Sequence, residues 1–410
     1  MKRFLIPALW CLLVVGAANG QSSASAIFLL IAPGAAAGGT GEAHVAASPD
    51  AYSSYWNPAT LAFLSQNEVV YQYSPWLPGL ANDIRYNFFG IGYNLPDIGT
   101  FGAHLIYLDL GEQIRTDENR NELGTFSSYM AALTVGFGTQ MSPTSSVGVN
   151  VKLIHQNLSD IATGAEGGKG VSTDIAFDFS YYSRNYPFRK FDFGLAVTNI
   201  GPKISFIDVD QADPQPTNLK MGFKWHLIET EFNKLSLVYD MNKLLVASHP
   251  GIDLDGNLRI GGYDKNGDPD PGGDGEYNSK GKLEAAHSDP WYLALFTSWV
   301  DDWRFGGDVD IDSDGIIQTE GEDAELGNAK DFTFQDELDT ITHNVGMEYW
   351  YSSYFAIRAG LIYDKLGKIY NPTFGTGIHY GPYGFDFGYI YGEQGHPLTN
   401  TMRFSLNMAF

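Results

Sequence analysis

The sequence predicts an all-β protein, a transmembrane antiparallel β-barrel of fourteen to sixteen strands. Segments of about ten residues alternate apolar with small or polar residues, which is the period of a strand whose two faces meet different surroundings. This length also lets a tilted strand cross a bilayer. There are 24 tyrosines and 47 glycines, and tyrosine suits the boundary between lipid and water. A soluble β-sandwich also alternates, but strand length and composition together favour the membrane barrel.

The N-terminus predicts export. Lys2 and Arg3 precede the apolar run Phe4–Val15, and small residues follow, so residues 1–20 have the pattern of a secretory signal peptide. A short buried helix is the alternative. Cys11 is the sole cysteine and lies in the piece expected to be removed. The processed chain is therefore expected to hold neither a disulfide nor a cysteine metal site.

Residues 21–66 are predicted to form a plug inside the barrel. They begin with a Gly/Ala run and continue through the stretch "SPDAYSSYWNPATLAF". Pro49 and Pro58 break any regular run, and Asn57 before proline is pushed to an extended or turn conformation. Lipid cannot accept irregular backbone, because its N–H and C=O groups would be unpaired. This segment must lie in the lumen or in the periplasm, and a disordered leader is the alternative to a plug.

Residues 67–410 are predicted to form the barrel wall. Clear alternation occurs in "TDIAFDFS", "FDFGLAVTN", "LKMGFKWHL" and "YGFDFGYIY". Other strands are expected to begin near Glu68, Arg85, Thr100, Ser128, Ser146, Leu235, Trp291, Trp303, Ile341, Phe355, Phe374 and Thr401. The alternation places His104, His226 and His379 on lumen faces and His155 on an outward face.

Connections between these strands alternate in length, as expected for short periplasmic turns and long outer loops. Residues 141–146 and 381–384 form short turns, whereas the stretches near 241–290 and 301–340 are long and acidic. The formal net charge of −23 argues against nucleic acid as a partner, since that binding needs basic patches.

One acidic loop resembles a calcium loop in part. Asp310, Asp312 and Asp314 occupy the first, third and fifth ligand positions, and a glycine follows at the sixth. The twelfth position should hold a bidentate glutamate but holds glycine, with Glu320 just before it. A looser echo lies at Asp264–Asp270. A solvated acidic loop is the alternative, and no other cofactor is expected.

No catalytic signature is present in the sequence. There is no nucleophile elbow, phosphate-binding loop, dinucleotide fingerprint or zinc-protease motif. The histidines are expected to be solvated or hydrogen-bonded rather than ligands. We therefore expect that the protein is not an enzyme.

The last strand carries a pattern typical of outer-membrane proteins. One face is formed by Phe404, Leu406, Met408 and Phe410, and the chain stops on that aromatic residue. Such a strand is the signal that the barrel-assembly machinery of Gram-negative bacteria recognises. We therefore expect the protein to lie in the outer membrane, with the lipid of that membrane as a partner. By pattern alone it could be any terminal strand.

The plug segment resembles a known family. Trp56, Asn57, Pro58 and Ala59, in the context "GEAHVAASPDAYSSYWNPATLAF", look like the PorV/PorQ family of outer-membrane proteins. This family is related to FadL transporters, which share the Asn-Pro-Ala step in an N-terminal hatch. The preceding Ser-Pro-Asp and the chain length favour PorV. The resemblance implies a FadL-like barrel of fourteen strands that serves the type IX secretion system.

The resemblance leaves two functions open. A PorV-like protein would bind the C-terminal signal domain of cargo at the translocon barrel and carry it to the surface-attachment complex. A FadL-like protein would instead transport long-chain fatty acids or other hydrophobic small molecules. A transporter needs a continuous apolar pocket behind the plug, whereas a shuttle needs a closed lumen and an exposed patch on its loops. The small and polar inner faces favour the shuttle.

Overall fold

The computed structural model describes residues 24–47, 49–116, 122–159, 169–206, 212–249, 254–257, 259–272, 275–301, 334–392 and 399–410. Within these ranges, fourteen antiparallel strands close into one barrel, which confirms the predicted fold class. The wall consists of β1 (Glu68–Pro75), β2 (Arg85–Leu95), β3 (Gly99–Thr116), β4 (Glu122–Gln140), β5 (Ser145–Ser159), β6 (Gly170–Ser183), β7 (Phe191–Ile200), β8 (Asn218–Glu229), β9 (Asn233–Leu244), β12 (Thr342–Tyr351), β13 (Phe355–Asp364), β14 (Ile369–Tyr380), β15 (Tyr383–Ile390) and β16 (Thr401–Ala409).

Each wall strand pairs with its sequence neighbours, with two exceptions. The chain leaves the wall after β9 and returns in β12, which pairs with β9. In between, β10 (Ser248–His249) and β11 (His287–Ser288) form a separate two-stranded ribbon. The barrel closes where β1 pairs with β16, from Glu68 opposite Ala409 to Tyr73 opposite Phe404.

The two faces of the strands follow the predicted alternation. On β6, Ile175, Phe177 and Phe179 are exposed, whereas Ala176 and Asp178 between them are fully buried. Because a barrel has only one enclosed side, the apolar faces point outward and the small or polar faces point into the lumen. In the described ranges no helix is long and apolar enough to span a bilayer.

The connections divide the barrel into two unlike ends. At one end, here called the short-turn end, lie the connections 96–98, 141–144, 184–190, 230–232, 352–354 and 381–382. At the other, the long-loop end, lie among others the connections 76–84, 201–217 and 245–341. The predicted short turns at 141–146 and 381–384 fall together at the short-turn end.

One predicted strand is wrong. The stretch beginning at Trp291 is not part of the wall but forms a helix, α3 (Trp291–Thr297), in the connection 245–341. Pro290 precedes it with extended backbone, a residue that favours the start of a helix. An aromatic run of this length has no period that separates a buried strand from a helix, which explains the error. The strand predicted near Trp303 lies outside the described residues.

Candidate functional site

The lumen is filled by residues 24–64, here called the plug; residues 1–23, which include the predicted signal peptide, lie outside the described ranges. The plug folds as short helical turns that contact the inner faces of both early and late strands. Their bounds are Ile27–Leu30 and Pro58–Phe63 for two 3-10 helices, and Ala35–Gly39 (α1) and Ser53–Trp56 (α2) for two α-helices. Most plug residues are buried, although the segment has little regular structure.

Inward-facing glycines line the wall where the plug meets it. We call them the glycine belt: Gly92, Gly102, Gly138, Gly148, Gly194, Gly222, Gly346, Gly360, Gly375 and Gly388. A Cβ on Gly148 would lie 2.3 Å from the backbone nitrogen of Ala59, and one on Gly360 would lie 2.3 Å from that of Gly41. Side-chain carbons do not approach backbone so closely, so only glycine lets the plug lie directly against these strands.

Asn57 ties the plug to itself and to the wall. Its side-chain oxygen accepts a hydrogen bond from the Ala59 backbone N–H at 3.1 Å. Its amide nitrogen donates to the carbonyl oxygens of Val45 at 3.0 Å and of Tyr181 in β6 at 3.2 Å. Pro58 follows as the first residue of the 3-10 helix, and Asn57 has the extended backbone that a residue before proline favours.

Trp56 is held in the same part of the plug. Its indole N–H donates to the Pro33 carbonyl at 3.1 Å. The ammonium of Lys220, on the inner face of β8, lies 4.3 Å from the ring centre of Tyr55 and 5.2 Å from that of Trp56. A cation over an aromatic face is stabilising. The two rings therefore stabilise the ammonium of Lys220 inside the lumen, where little water can solvate it.

The lumen near the long-loop end is apolar. Phe28 and Leu29 of the plug are buried there. They belong to one cluster with inward-facing wall residues, namely Tyr86, Phe88, Ile106, Leu108 and Ile154. The expectation that inner faces are small or polar throughout is therefore wrong for this region. The apolar space exists, but the plug occupies it.

Nearer the middle, one buried ion pair joins two neighbouring wall strands and another joins the wall to the plug. Lys152 Nζ lies 2.9 Å from Asp178 Oδ1, and both side chains are fully buried. Arg403 on β16 pairs with Glu42 of the plug. Because an unpaired charge in such a place is costly, each pair depends on both members being present.

A polar cavity of about 480 Å³ lies between plug and wall near the short-turn end. Its lining includes His44, His226, His379, Glu348 and Arg358. Half of its lining residues, 11 of 22, are charged residues or histidines. The cavity therefore does not continue the apolar region on the other side of the plug.

The histidines lie on the faces that the alternation predicts. His104 is buried against the plug, with Nδ1 2.9 Å from Ser54 Oγ. His226 and His379 border the polar cavity, where they contact Asp192 at 2.8 Å and Asp386 at 3.0 Å. His155 points outward and contacts Thr173 on β6.

At the long-loop end, α3 presents an exposed aromatic surface. We call it the aromatic loop surface: Trp291, Tyr292, Leu293, Phe296 and Trp299. Phe296 is 76% exposed, whereas Ala294 on the other side of the helix is buried. Exposed apolar patches of this kind are typical of binding surfaces. Sequence reasoning misses this surface, because it predicts a strand of the wall at Trp291 instead of a helix.

The ribbon of β10 and β11 lies just before α3. His249 Nε2 contacts Asp289 Oδ2 at 3.0 Å, and Thr297 Oγ1 of α3 donates to the same oxygen at 2.7 Å. Partial burial raises the pKa of Asp289, but the hydrogen bonds from Thr297 and His249 and the charges of His249 and His287 outweigh it. The pKa of Asp289 is consequently below its ordinary value.

The C-terminal strand lies at the seam of the barrel. Phe404, Leu406, Met408 and Phe410 lie on its outward face, whereas Arg403 and Ser405 are buried against the plug. The Phe410 backbone N–H donates to the Asn67 carbonyl at 2.8 Å. The outward residues are thus available to lipid or to an assembly factor, and their recognition stays a prediction.

The calcium-loop candidates Asp310, Asp312, Asp314 and Glu320 lie outside the described residues. The looser echo at Asp264–Asp270 is described and forms a tight turn. There the carboxylate of Asp264 accepts the backbone N–H groups of Asn266 and Asp268, both at 2.9 Å. Calcium binding by either loop stays a prediction.

Comparison with known proteins gives one family. Residues 17–251 match the family model described as "Type IX secretion system protein PorV". No curated protein sequence matches the chain. Among solved structures, the toluene transporter TbuX of Ralstonia pickettii is 12% identical, with 93% of this chain and 98% of that chain covered and a TM-score of 0.43. The toluene transporter TodX of Pseudomonas putida is also 12% identical, with 92% and 96% covered and a TM-score of 0.47.

Proposed function

The chain belongs to the PorV family of type IX secretion system proteins and is an outer-membrane β-barrel of a Gram-negative bacterium; from this premise we propose that it binds secreted cargo. It receives the C-terminal signal domain of the cargo at the translocon barrel and passes it to the surface-attachment complex. The barrel itself carries nothing through its lumen, and the role is not catalytic.

The filled lumen is the observation that carries this proposal. The glycine belt brings the plug into direct contact with the wall, and the ion pair of Glu42 with Arg403 and the hydrogen bond of Asn57 to Tyr181 fix it there. A lumen sealed in this way supports a protein that works through its outer surfaces. The long-loop end then faces the cell exterior, because outer-membrane barrels keep their short turns in the periplasm.

The aromatic loop surface is the proposed docking site for the signal domain. Aromatic side chains in particular supply much of the energy of protein interfaces. Phe296 is the most exposed side chain of this surface, at 76%, and lies at the end of the barrel where cargo would arrive. The same connection is rich in acidic residues, which favour water over an interface, whereas α3 is apolar.

Replacing Phe296 tests this docking site. If Phe296 is an interface anchor, Phe296→Asp should lower capture of a purified type IX signal domain by at least ~30-fold, the equivalent of ~2 kcal/mol. Capture is measured with the purified barrel in detergent, so that any contact of Phe296 with membrane lipid does not affect the result. Leu80→Asp is the matched control, because Leu80 is 70% exposed at the same end but lies outside α3.

Equal capture by wild type and Phe296→Asp would show that α3 is not the docking site.

The wider role is tested by deleting the gene and measuring how much cargo reaches the cell surface. If proteins bearing type IX signal domains still reach the cell surface at the normal level, the chain does not serve their secretion. Recovery of a very large barrel protein with the tagged chain is the expected sign of the translocon.

Transport of hydrophobic small molecules is the alternative, favoured by the apolar cluster near the long-loop end. A ligand could enter this region only if Phe28 and Leu29 left it. Binding of a long-chain fatty acid by the wild-type protein, increased by a Phe28→Ala and Leu29→Ala double substitution, would support this function. The proposal includes no cofactor; loop-bound calcium at Asp310, Asp312, Asp314 and Glu320 would appear as a chelator-dependent change in loop proteolysis.

A further inference from the structure

We propose that His249, His287 and Asp289 form a binding site for a divalent transition metal, Zn²⁺ by the chemistry of its ligands, at the base of α3. One potential ligand atom from each residue lies within 4.8 Å of the other two. The three residues come from both strands of the β10–β11 ribbon and from the residue after it. This site is separate from the aromatic loop surface and from the lumen.

The register of the ribbon places the three side chains on one face. His249 is directly opposite His287, and their rings stack with centres 4.9 Å apart. Asp289 follows His287 by two residues, and residues two apart in an extended chain point to the same side. The backbone N–H of Asp289 donates to Ala247 at 3.0 Å, which continues the pairing beyond the ribbon.

Hydrogen bonds outside the cluster orient two of the ligands. His287 Nδ1 lies 2.9 Å from the Ala285 carbonyl, which can only accept, so Nδ1 carries the proton and Nε2 keeps its lone pair in the neutral ring. Thr297 Oγ1 donates to Asp289 at 2.7 Å. Such outer partners are a regular feature of metal sites, because they fix the tautomer and direction of each ligand.

The distances fit a small metal ion. His249 Nε2 and Asp289 Oδ2 are 3.0 Å apart, and two tetrahedral Zn²⁺ bonds of about 2.0–2.1 Å hold their ligand atoms about 3.4 Å apart. The ligand atom of His287 lies within 4.8 Å of the other two, so a shift of its ring by up to about 1.4 Å completes the set. Two imidazoles and one carboxylate are a known zinc ligand set that leaves a fourth position for water. Both His249 and Asp289 are mostly buried, with 13% and 14% of their side chains exposed.

A metal here would link two distant parts of the long connection. His249 and His287 are separated by 37 residues of the connection, and Asp289 directly precedes Pro290 and the first residue of α3. Binding would hold the ribbon closed and fix the direction in which α3 leaves it. Since unfolded loop residues would not form the site, the free energy of binding would stabilise this folded loop.

The test is Co²⁺ binding by the full-length barrel in detergent after treatment with a chelator. Wild type should bind one equivalent with the visible absorption of a four- or five-coordinate ion, and Zn²⁺ should displace it. His249→Ala and His287→Ala should each weaken binding at least ~10-fold, as the loss of even an outer partner does. His226→Ala is the matched control, because His226 also contacts an aspartate, at 2.8 Å, but has no stacked second imidazole.

Asp289→Asn keeps the shape of the loop and should weaken Co²⁺ binding comparably, so a loss is not explained by misfolding of an alanine variant. No binding by wild type, or equal affinity in wild type and all three ligand variants, would overturn the proposal. Because metal binding is measured on the purified protein, the result is independent of whether the chain carries type IX cargo.

Discussion

Asn57→Ala should loosen the plug without opening the wall. The variant loses three hydrogen bonds, from the Ala59 N–H and to the carbonyls of Val45 and Tyr181. The bonds with Val45 and Ala59 lie within the plug and are lost when the displaced plug also unfolds. At about 1 kcal/mol net for each bond, the docked plug then loses ~3 kcal/mol relative to a displaced, unfolded plug. Every 1.4 kcal/mol is a tenfold change, so the fraction of molecules with a displaced plug should rise roughly 100-fold.

A single cysteine provides the assay. Cys11 is the only cysteine of the sequence and lies in the predicted signal peptide, so Thr60→Cys would be the sole thiol of the processed chain. Thr60 is buried within the 3-10 helix of the plug. Its rate of labelling by a water-soluble maleimide then reports local opening, provided that closing is fast relative to labelling.

The comparison is between Thr60→Cys alone and the same variant with Asn57→Ala. Asn87→Ala serves as control, because Asn87 accepts only an exposed hydrogen bond from Tyr71 on the wall. Labelling rates equal within a factor of two, with the barrel intact on a gel run without heating, would refute the view that Asn57 holds the plug.

Three further predictions concern the wall. Gly148→Val should destabilise the folded barrel by ~1–3 kcal/mol, because its Cβ meets plug backbone; an unchanged temperature for loss of the folded gel band would contradict this. Lys152→Met should cost ~3–5 kcal/mol by leaving Asp178 charged and unpaired, and adding Asp178→Asn should recover part of that stability. Phe410→Ala should reduce the amount of assembled barrel in the outer membrane severalfold, whereas Tyr380→Ala, which changes an exposed aromatic residue at the same end, should not. Equal amounts of the two variants would contradict a role of Phe410 in barrel assembly.

Sequence reasoning recovered the features that depend on period and composition. Alternation identified most of the wall and the direction of His104 and His155, because one face of every strand meets lipid. It could not give the pairing of Lys152 with Asp178, since that depends on the register between neighbouring strands. It missed the cluster of His249, His287 and Asp289 for a related reason, because a long connection folds back to bring them together.

In the sequence the abundance of glycine is only a feature of composition, and the structure gives it a physical reason. The glycine belt is needed only where plug backbone touches the wall, so its positions follow from a contact between distant segments. Alternation correctly described the polar half of the lumen but not the apolar half. There Tyr86 and Phe88 point inward because Phe28 and Leu29, rather than water, fill the space beside them.

The seam between β1 and β16 has a consequence for how the molecule is made. The plug precedes β1 directly in the chain, and the inner face of β16 contacts it: the Ala35 N–H and the Tyr52 hydroxyl donate to Ser405 Oγ at 2.8 and 2.9 Å. A chain whose plug is outside would offer its final strand no such partners. Two unpaired strand edges would then stay open to other chains. Completion of the wall thereby depends on its contents, because β16 finds its inner partners only over a plug that is already in place.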